Sequence, residues 1–285
     1  MKIALTIDGR QVSVEQGTWL LAAARRAGID IPAFCHHDAL EPYGSCRLCL
    51  VEVTRGGRTR LTTSCNYPVL REGETVSTGS ANVLRARRVV MELLLARCPD
   101  SEPVRAMAER IGVAASRFPP PAPSRLGGHD EALVDCILCG LCVRACDEAI
   151  GASAISFAER GPNRRVATPF LASSAACTGC GACAAVCPTR VIRLEDTPAG
   201  TRRIAFLHTE VTLRRCTSCG RPFGPEPQLA RLPADAGRHA RPGSPAARTV
   251  VPPDTCPDCR RRAFGGEFAR WTIPPARGAG EGSRP

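Results

Sequence analysis

Aromatic residues make up only 4% of this 285-residue sequence, so its cores must be packed from Leu, Val and Ala, with metal ligation supplying what aromatic bulk does not. Long apolar runs are missing as well. The longest, near Val89 to Ala96, falls far short of the ~20 residues that cross a bilayer. The opening MKIALTIDGRQV alternates like a strand and contains no apolar stretch of the secretory type. These absences predict a cytoplasmic protein without an integral membrane segment, peripheral to a membrane only through partners. Also missing are a glycine-rich dinucleotide fingerprint at a strand-to-helix turn, H-E-x-x-H and G-x-S-x-G. No site for catalysis by the chain alone is visible.

Cysteine, by contrast, is abundant. Seventeen of them without a secretory signal read as metal ligands in a reducing compartment, not as a disulfide framework. The formal net charge of +11 invites a nucleic-acid partner. An iron–sulfur or zinc site held by four thiolates carries about −2, however, and four such sites would leave only about +3. The excess is also local, since residues 200–285 hold 15 Arg against 7 Asp plus Glu. Such a patch suits docking to an acidic surface. A basic zinc protein binding nucleic acid through residues 200–270 is the remote alternative; it predicts salt-sensitive binding to DNA or RNA, whereas the leading reading predicts none.

The densest pattern lies in residues 136–187, where C-x2-C-x2-C-x3-C occurs twice: Cys136, Cys139, Cys142 and Cys146, then Cys177, Cys180, Cys183 and Cys187, followed by Pro188. A [4Fe-4S] centre needs four thiolates, and this is the bacterial ferredoxin spacing, in which the fourth cysteine serves the other centre. One centre is expected on Cys136, Cys139, Cys142 and Cys187, and a second on Cys146, Cys177, Cys180 and Cys183. The two-residue gaps should wrap tight loops, with each fourth cysteine opening a short helix. Structural zinc or buried free thiols would not require two runs in register. Arg144 and Arg190 lie beside these ligands, either offsetting their charge or forming ordinary solvated surface. Ala154 to Phe170, between the runs, should form a hairpin.

Upstream, Lys2 to Ile7 alternates, Asp8-Gly9 is a preferred hairpin turn and Gln11 to Val14 returns. Thr18 can cap a helix that Gly28 closes. A hairpin followed by a helix opens a β-grasp fold, assigned to residues 1–79. Within it Cys35, Cys46, Cys49 and Cys65 follow C-x10-C-x2-C-x15-C. Two cysteines on one tight loop, turned at Gly44, and a fourth returned by a strand suit a [2Fe-2S] centre, with backbone N–H groups tuning it. Zinc is the competing occupant, because spacing alone does not fix the metal.

Residues 80–117 read as a helical connector. Ser80 should cap a helix whose Val83, Val90, Leu93 and Leu94 share one side opposite the arginines, and Asp100 or Ser101 should cap a second helix ending near Gly112. Residues 118–128, FPPPAPSRLGG, form a stiff proline-rich linker into a two-[4Fe-4S] domain over 129–200. Strands are expected at Val191 to Leu194 and around Arg203 to Leu213, and His129 and His208 have no partner spacing. In the extension 201–273, CTSC and CPDC place Cys216, Cys219, Cys256 and Cys259 as two knuckles. A closed set of four cysteines is typical of structural zinc, and a single rubredoxin-like iron would use the same ligands. Such a site would staple a Pro/Ala/Arg-rich segment that cannot fold by apolar burial alone. Residues 274–285 read as a disordered tail. The whole is an α+β protein.

The stretches CHHDALEPYGSCRLCLVEV, TTSCNYPV, REGETVSTGSANVLRARRVVMELLLARCP and DCILCGLCVRACDEAIGASAISFAERG resemble two related families. These are the N-terminal iron–sulfur part of the complex I large iron–sulfur subunit and the γ, or diaphorase, subunit of NAD-reducing [NiFe] hydrogenases. By length the chain is closer to the latter, and the resemblance covers roughly residues 1–195. Complex I relatives carry an extra cluster on one His and three Cys in the connector. Here only Cys98 is present and no His occurs between His37 and His129, so that cluster is expected to be missing and Cys98 to be a packed thiol. The resemblance implies an electron-transfer subunit of a hetero-oligomer, non-catalytic alone, that relays electrons between a flavin-containing NADH-reacting subunit and a hydrogenase or other catalytic subunit. An electron-transfer subunit of a complex I-like NADH dehydrogenase or NAD-linked formate dehydrogenase is the alternative.

Overall fold

Alternation in the first residues becomes a hairpin. β1 (Lys2–Ile7) pairs antiparallel with β2 (Arg10–Glu15), turning at Asp8 and Gly9, whose φ angles of 47° and 79° suit a two-residue primed turn. The computed structural model describes residues 1–120, 135–231 and 254–263. Most of the proline-rich linker, His129, most of the insertion between the two knuckles and the tail lie outside them. Among the described residues no helix is long and apolar enough to cross a membrane. Two units divide the chain: one of Met1–Cys177, Gly181–Leu194 and Ile204–Thr209, the other of Thr178–Cys180, Glu195–Arg203 and the residues from Glu210 onward.

In the first unit, β3 (Leu50–Arg55), β4 (Arg58–Thr63) and β5 (Thr75–Ser77) complete a five-stranded sheet of order β2-β1-β5-β3-β4. β1 and β5 run parallel at its centre. Ile3, Leu5 and Ile7 face the buried Leu20, Leu21, Ala23 and Ala24 of α1 (Leu20–Arg26), with Val51, Val53 and Val76 in the same core. This is the β-grasp arrangement of a sheet holding one helix. Thr18 does not cap that helix, as the sequence suggests it should: its hydroxyl donates to the Glu15 carbonyl at 2.6 Å and Trp19 occupies the cap position.

The connector forms α2 (Ala81–Arg97) and α3 (Glu102–Ile111). Ser80 caps α2 by accepting from Val83 N at 3.2 Å, and Gly112 ends α3 in the left-handed conformation. Ser101 holds the cap position of α3 without a side-chain bond. The face of α2 differs from expectation. Val83, Arg87 and Met91, spaced four apart, are buried, while Leu93 is 49% exposed, so one arginine lies on the inner side and one leucine on the outer.

Beyond Asp135, the two cysteine runs form short helices α4 (Leu141–Arg144) and α5 (Ala182–Ala185), and β6 (Ser156–Ala158) pairs antiparallel with β7 (Arg165–Ala167) as the expected hairpin. The second unit is built on a sheet of order β11-β10-β9-β8, from β8 (Leu194–Asp196), β9 (Thr201–Ile204), β10 (Thr209–Arg215) and β11 (Pro222–Pro225), followed by α6 (Glu226–Arg231). The single strand expected around Arg203 to Leu213 is two strands, interrupted by a 3-10 turn over Ala205–Leu207 and by His208 at φ 48°.

Candidate metal centres

The loop between α1 and β3 brings in Cys35, Cys46 and Cys49, and a 3-10 turn after β4 (Ser64–Asn66) brings in Cys65; all four are buried. Gly44 turns the loop at φ 72°, where any Cβ would meet Asn66 Nδ2 at 2.8 Å. The four thiols are chained by hydrogen bonds. Those from Cys46 and Cys65 hold Cys35 down at about 2, and the Cys65 thiol holds Cys49 at about 6. Cys46 and Cys65 are pushed up in return by the neighbours they bond. Backbone donors also face the sulfurs, Cys46 N to Cys35 Sγ at 3.3 Å and Phe34 N to Cys46 Sγ at 3.4 Å. Amide groups aimed at sulfur are what a thiolate-bound iron centre uses to settle its charge.

Cys136, Cys139, Cys142 and Cys187 line one small cavity with Ile137, Val166, Ile192 and Phe206. Burial pushes the Cys139 thiol up to about 12 and raises Cys136 and Cys142 too. Buried thiols raised in this way are poor acids until a cation arrives, so the donor set suits a metal centre. Gly140 starts α4 at φ 77°, with a Cβ there 3.2 Å from Phe157 and 3.3 Å from Tyr43. The expected helix start is displaced: the third cysteine of each run, Cys142 and Cys183, lies in the short helix. Cys146 follows in a π-helical turn (Ala145–Ala149) and its sulfur accepts from Ala154 N at 3.3 Å. Cys146, Cys177 and Cys183 pack in one cluster with Cys136 and Cys142. Cys180 belongs to the second unit, where Arg202, paired to Asp196 at 2.7 and 2.8 Å, donates to the Gly179 carbonyl at 3.0 Å.

Three arginines hold cluster loops by their main-chain carbonyls. Arg144 donates to Cys35 O at 2.9 Å and to Glu41 O, with its guanidinium 5.4 Å from the Tyr43 ring centroid. Arg97 donates to Cys136 O at 2.7 Å and Arg87 to Leu50 O at 2.6 Å. The sequence singles out Arg144 but not the other two. Arg87 could have been found from its register on α2, four residues after Val83 and four before Met91. Arg190, the second arginine expected beside the ligands, is exposed and makes no side-chain bond among the described residues. Ser45 Oγ donates to Leu138 O at 3.2 Å, and Glu148 accepts from Glu41 N at 2.9 Å. One core contains Cys35 and Cys46 together with Cys139. Cys98 lies in that same core, fully buried, and desolvation pushes its thiol up to about 12.

In the second unit, Cys216 follows β10 and Cys219 its turn, while Cys256 and Cys259 flank the start of a helical segment at 257–263. Their four sulfurs all lie within 4.8 Å of one another, the only such group of three or more potential ligands among the described residues. Cys256 N donates to Cys216 Sγ at 3.2 Å, which holds that thiol at about 6. Arg221, through its N–H and then its guanidinium, holds Cys219 below the usual thiol range. The knuckles are braced by Arg214 to Asp254 at 2.9 Å and Arg221 to Asp258 at 3.0 Å. A single-ion sphere of thiolates suits zinc or one iron.

Two family models match this chain. A 2Fe-2S iron-sulfur cluster binding domain matches residues 1–81, and a 4Fe-4S dicluster domain matches residues 135–191 and 176–221. The solved NAD+-reducing [NiFe]-hydrogenase in the H2-reduced state contains a chain 34% identical, with a TM-score of 0.50, covering 58% of this chain and 74% of that one. The chain belongs to the family of iron–sulfur subunits found in NADH-quinone oxidoreductases and NAD+-reducing hydrogenases. An NADH-quinone oxidoreductase subunit of Rhizobium meliloti is 37% identical over 65% of this chain and 23% of its own length. The NADP-reducing hydrogenase subunit HndD of Solidesulfovibrio fructosivorans is 36% identical over 66% of this chain and 35% of its own. The chain thus spans about a quarter to a third of these curated relatives.

Proposed function

We propose that the chain is an electron relay, passing single electrons between a flavin-containing, NAD(H)-reacting partner subunit and a catalytic partner, in first place a [NiFe] hydrogenase. The assignment puts a [2Fe-2S] centre on Cys35, Cys46, Cys49 and Cys65. It puts [4Fe-4S] centres on Cys136, Cys139, Cys142 and Cys187 and on Cys146, Cys177, Cys180 and Cys183, and structural zinc on Cys216, Cys219, Cys256 and Cys259. A cytoplasmic, reducing setting belongs to the same reading, because thiolate ligands persist there.

The observation that carries it is the bonding between two ligand loops far apart in sequence. Arg144, two residues after Cys142, binds the carbonyl of Cys35, and Ser45, beside Cys46, binds the carbonyl of Leu138, beside Cys139. When bound, iron–sulfur centres supply one-electron storage. That one buried core contains Cys35 and Cys46 together with Cys139 supports a short path between the two proposed centres. Similarity to a chain of a NAD+-reducing hydrogenase supports the hydrogenase partner. Zinc is favoured over a single iron because a closed four-cysteine knuckle site with ion-pair braces suits a metal that holds structure.

The test is anaerobic purification with partners, metal analysis and electron paramagnetic resonance of the reduced protein. About ten irons and about one zinc per chain are expected, with a [2Fe-2S] signal and interacting [4Fe-4S] signals. Two irons alone, or four zincs, would sink the relay. Cys139→Ser should remove one four-iron centre and abolish electron flow between the partners, leaving each partner's half-reaction and the two-iron signal intact. Unchanged coupled activity would count heavily against the path.

A further inference from the structure

Burying a guanidinium without an anion is costly, several kcal/mol in a low-dielectric interior. Arg87 is 6% exposed, its Nε has no partner, and its one side-chain bond is to the neutral carbonyl of Leu50, the residue after Cys49. Burial lowers its basicity, and the largest opposing attraction comes from Cys49 itself. Arg97 and Arg144 repeat the arrangement at the carbonyls of Cys136 and Cys35, and Arg144 Nε is likewise buried without a partner. None of the three forms an ion pair among the described residues. Arg202 shows the contrast: it also binds a carbonyl in a cysteine loop, but Asp196 neutralises it. α2 carries Arg87 and Arg97 ten residues apart, about 15 Å along a rigid axis, so one helix delivers a cation to each of two ligand loops.

We propose that Arg87, Arg97 and Arg144 are the internal counter-ions of the two-iron centre and the first four-iron centre, and set how readily each accepts an electron. This rests on the reading of those loops as iron–sulfur sites. A four-thiolate centre carries about −2 when oxidised and gains one further negative charge on taking up one electron, with no bond made or broken. A fixed cation favours the reduced form, and its influence falls with distance. Arg87 therefore acts chiefly on the two-iron centre and Arg97 on the four-iron centre. Arg144, bonded to Cys35 yet seated between Cys142 and Cys146, acts on both. These are positioning residues, since each reaches its centre through a loop carbonyl and through space.

The experiment is a dithionite redox titration of the full-length protein followed by electron paramagnetic resonance, which reads each centre's midpoint separately. Arg87→Gln should shift the two-iron midpoint to more negative potential and leave the four-iron signals in place. Arg97→Gln should do the reverse. The exposed Arg88→Gln should shift neither, and Arg87→Lys should restore the parent midpoint. An unmoved two-iron midpoint in Arg87→Gln with its signal intact, or an equal shift from Arg88→Gln, overturns the proposal. Where Arg87→Gln fails to retain the centre, Arg87→Lys and Arg97→Gln decide: a parent-like midpoint in the first with a selective shift in the second supports it, and any other pair of results overturns it. Absence of a two-iron signal from the parent protein would overturn the site reading instead.

Discussion

The two-iron region and the C-terminal knuckles each present four cysteines, and they are built on opposite principles. Around Cys49 and Cys65 lies a core containing Ile3, Leu5, Ile7, Leu20, Leu21 and Val51, each at most 1% exposed. Around Cys216, Cys256 and Cys259 the only partly buried apolar side chain packed against them, among the described residues, is Phe223, and Cys219 is exposed. The first set sits in a fold that would persist around an absent metal. The second has little apolar surface of its own, so on the proposed reading a metal bound there supplies the folding free energy. Identical ligands thus mark two different uses of a metal, and what separates them is the apolar surface available nearby.

The sharpest way to break this comparison is to take a ligand from the second site. Cys256→Ser should lose the C-terminal metal, and with it folding free energy on the order of 10 kcal/mol. Limited proteolysis should then cut within residues 209–231 and 254–263 while the β-grasp module stays protected. Equal protection of both regions would mean that the knuckles fold without metal. The reciprocal change is Leu5→Ala in the β-grasp core, where a truncated buried leucine costs about 2–5 kcal/mol. Its thermal midpoint should fall in the two-iron module, with the C-terminal metal content unchanged. Loss of that metal in Leu5→Ala would show the two regions to be one cooperative whole.

The difference between the regions also governs how much could be read in advance. Regular spacing reveals the cysteine sets, because ligand loops are local: the gaps in CILCGLC, CTGCGAC, CTSC and CPDC are tight turns whatever surrounds them. The hairpin at Asp8-Gly9 and the Ser80 cap are equally local, and both form as expected. Thr18 fails as a cap because its hydroxyl turns back to the Glu15 carbonyl, an alternative that propensity does not weigh. Leu93 and Arg87 trade sides because α2 lies beside β3, where the Arg87 guanidinium reaches in to the Leu50 carbonyl. The broken strand at His208 and the bonds from Arg97 and Arg144 are of another kind, and those two bonds reach residues about 39 and 109 positions away. A pattern of neighbours carries no trace of such distances.

The smallest expected effect tests the braces of the second site. Arg214 and Asp254 pair at 2.9 Å with side chains 29% and 46% exposed, so water and salt screen the attraction and the pair contributes under about 1 kcal/mol. Arg214→Gln should weaken resistance to a chelator slightly at low ionic strength, and the deficit should disappear near ~1 M salt, where the screening length is about 3 Å. Arg221–Asp258, at 3.0 Å with 59% and 47% exposure, should behave alike. Carbonyl bonds such as Arg97 to Cys136 differ in kind, because the guanidinium there is half-buried and its acceptor neutral. If chelator resistance in Arg214→Gln were reduced equally at low and high salt, the brace would be acting by geometry, and the C-terminal site would resemble the buried loops of the first unit more closely than its exposed ion pairs suggest.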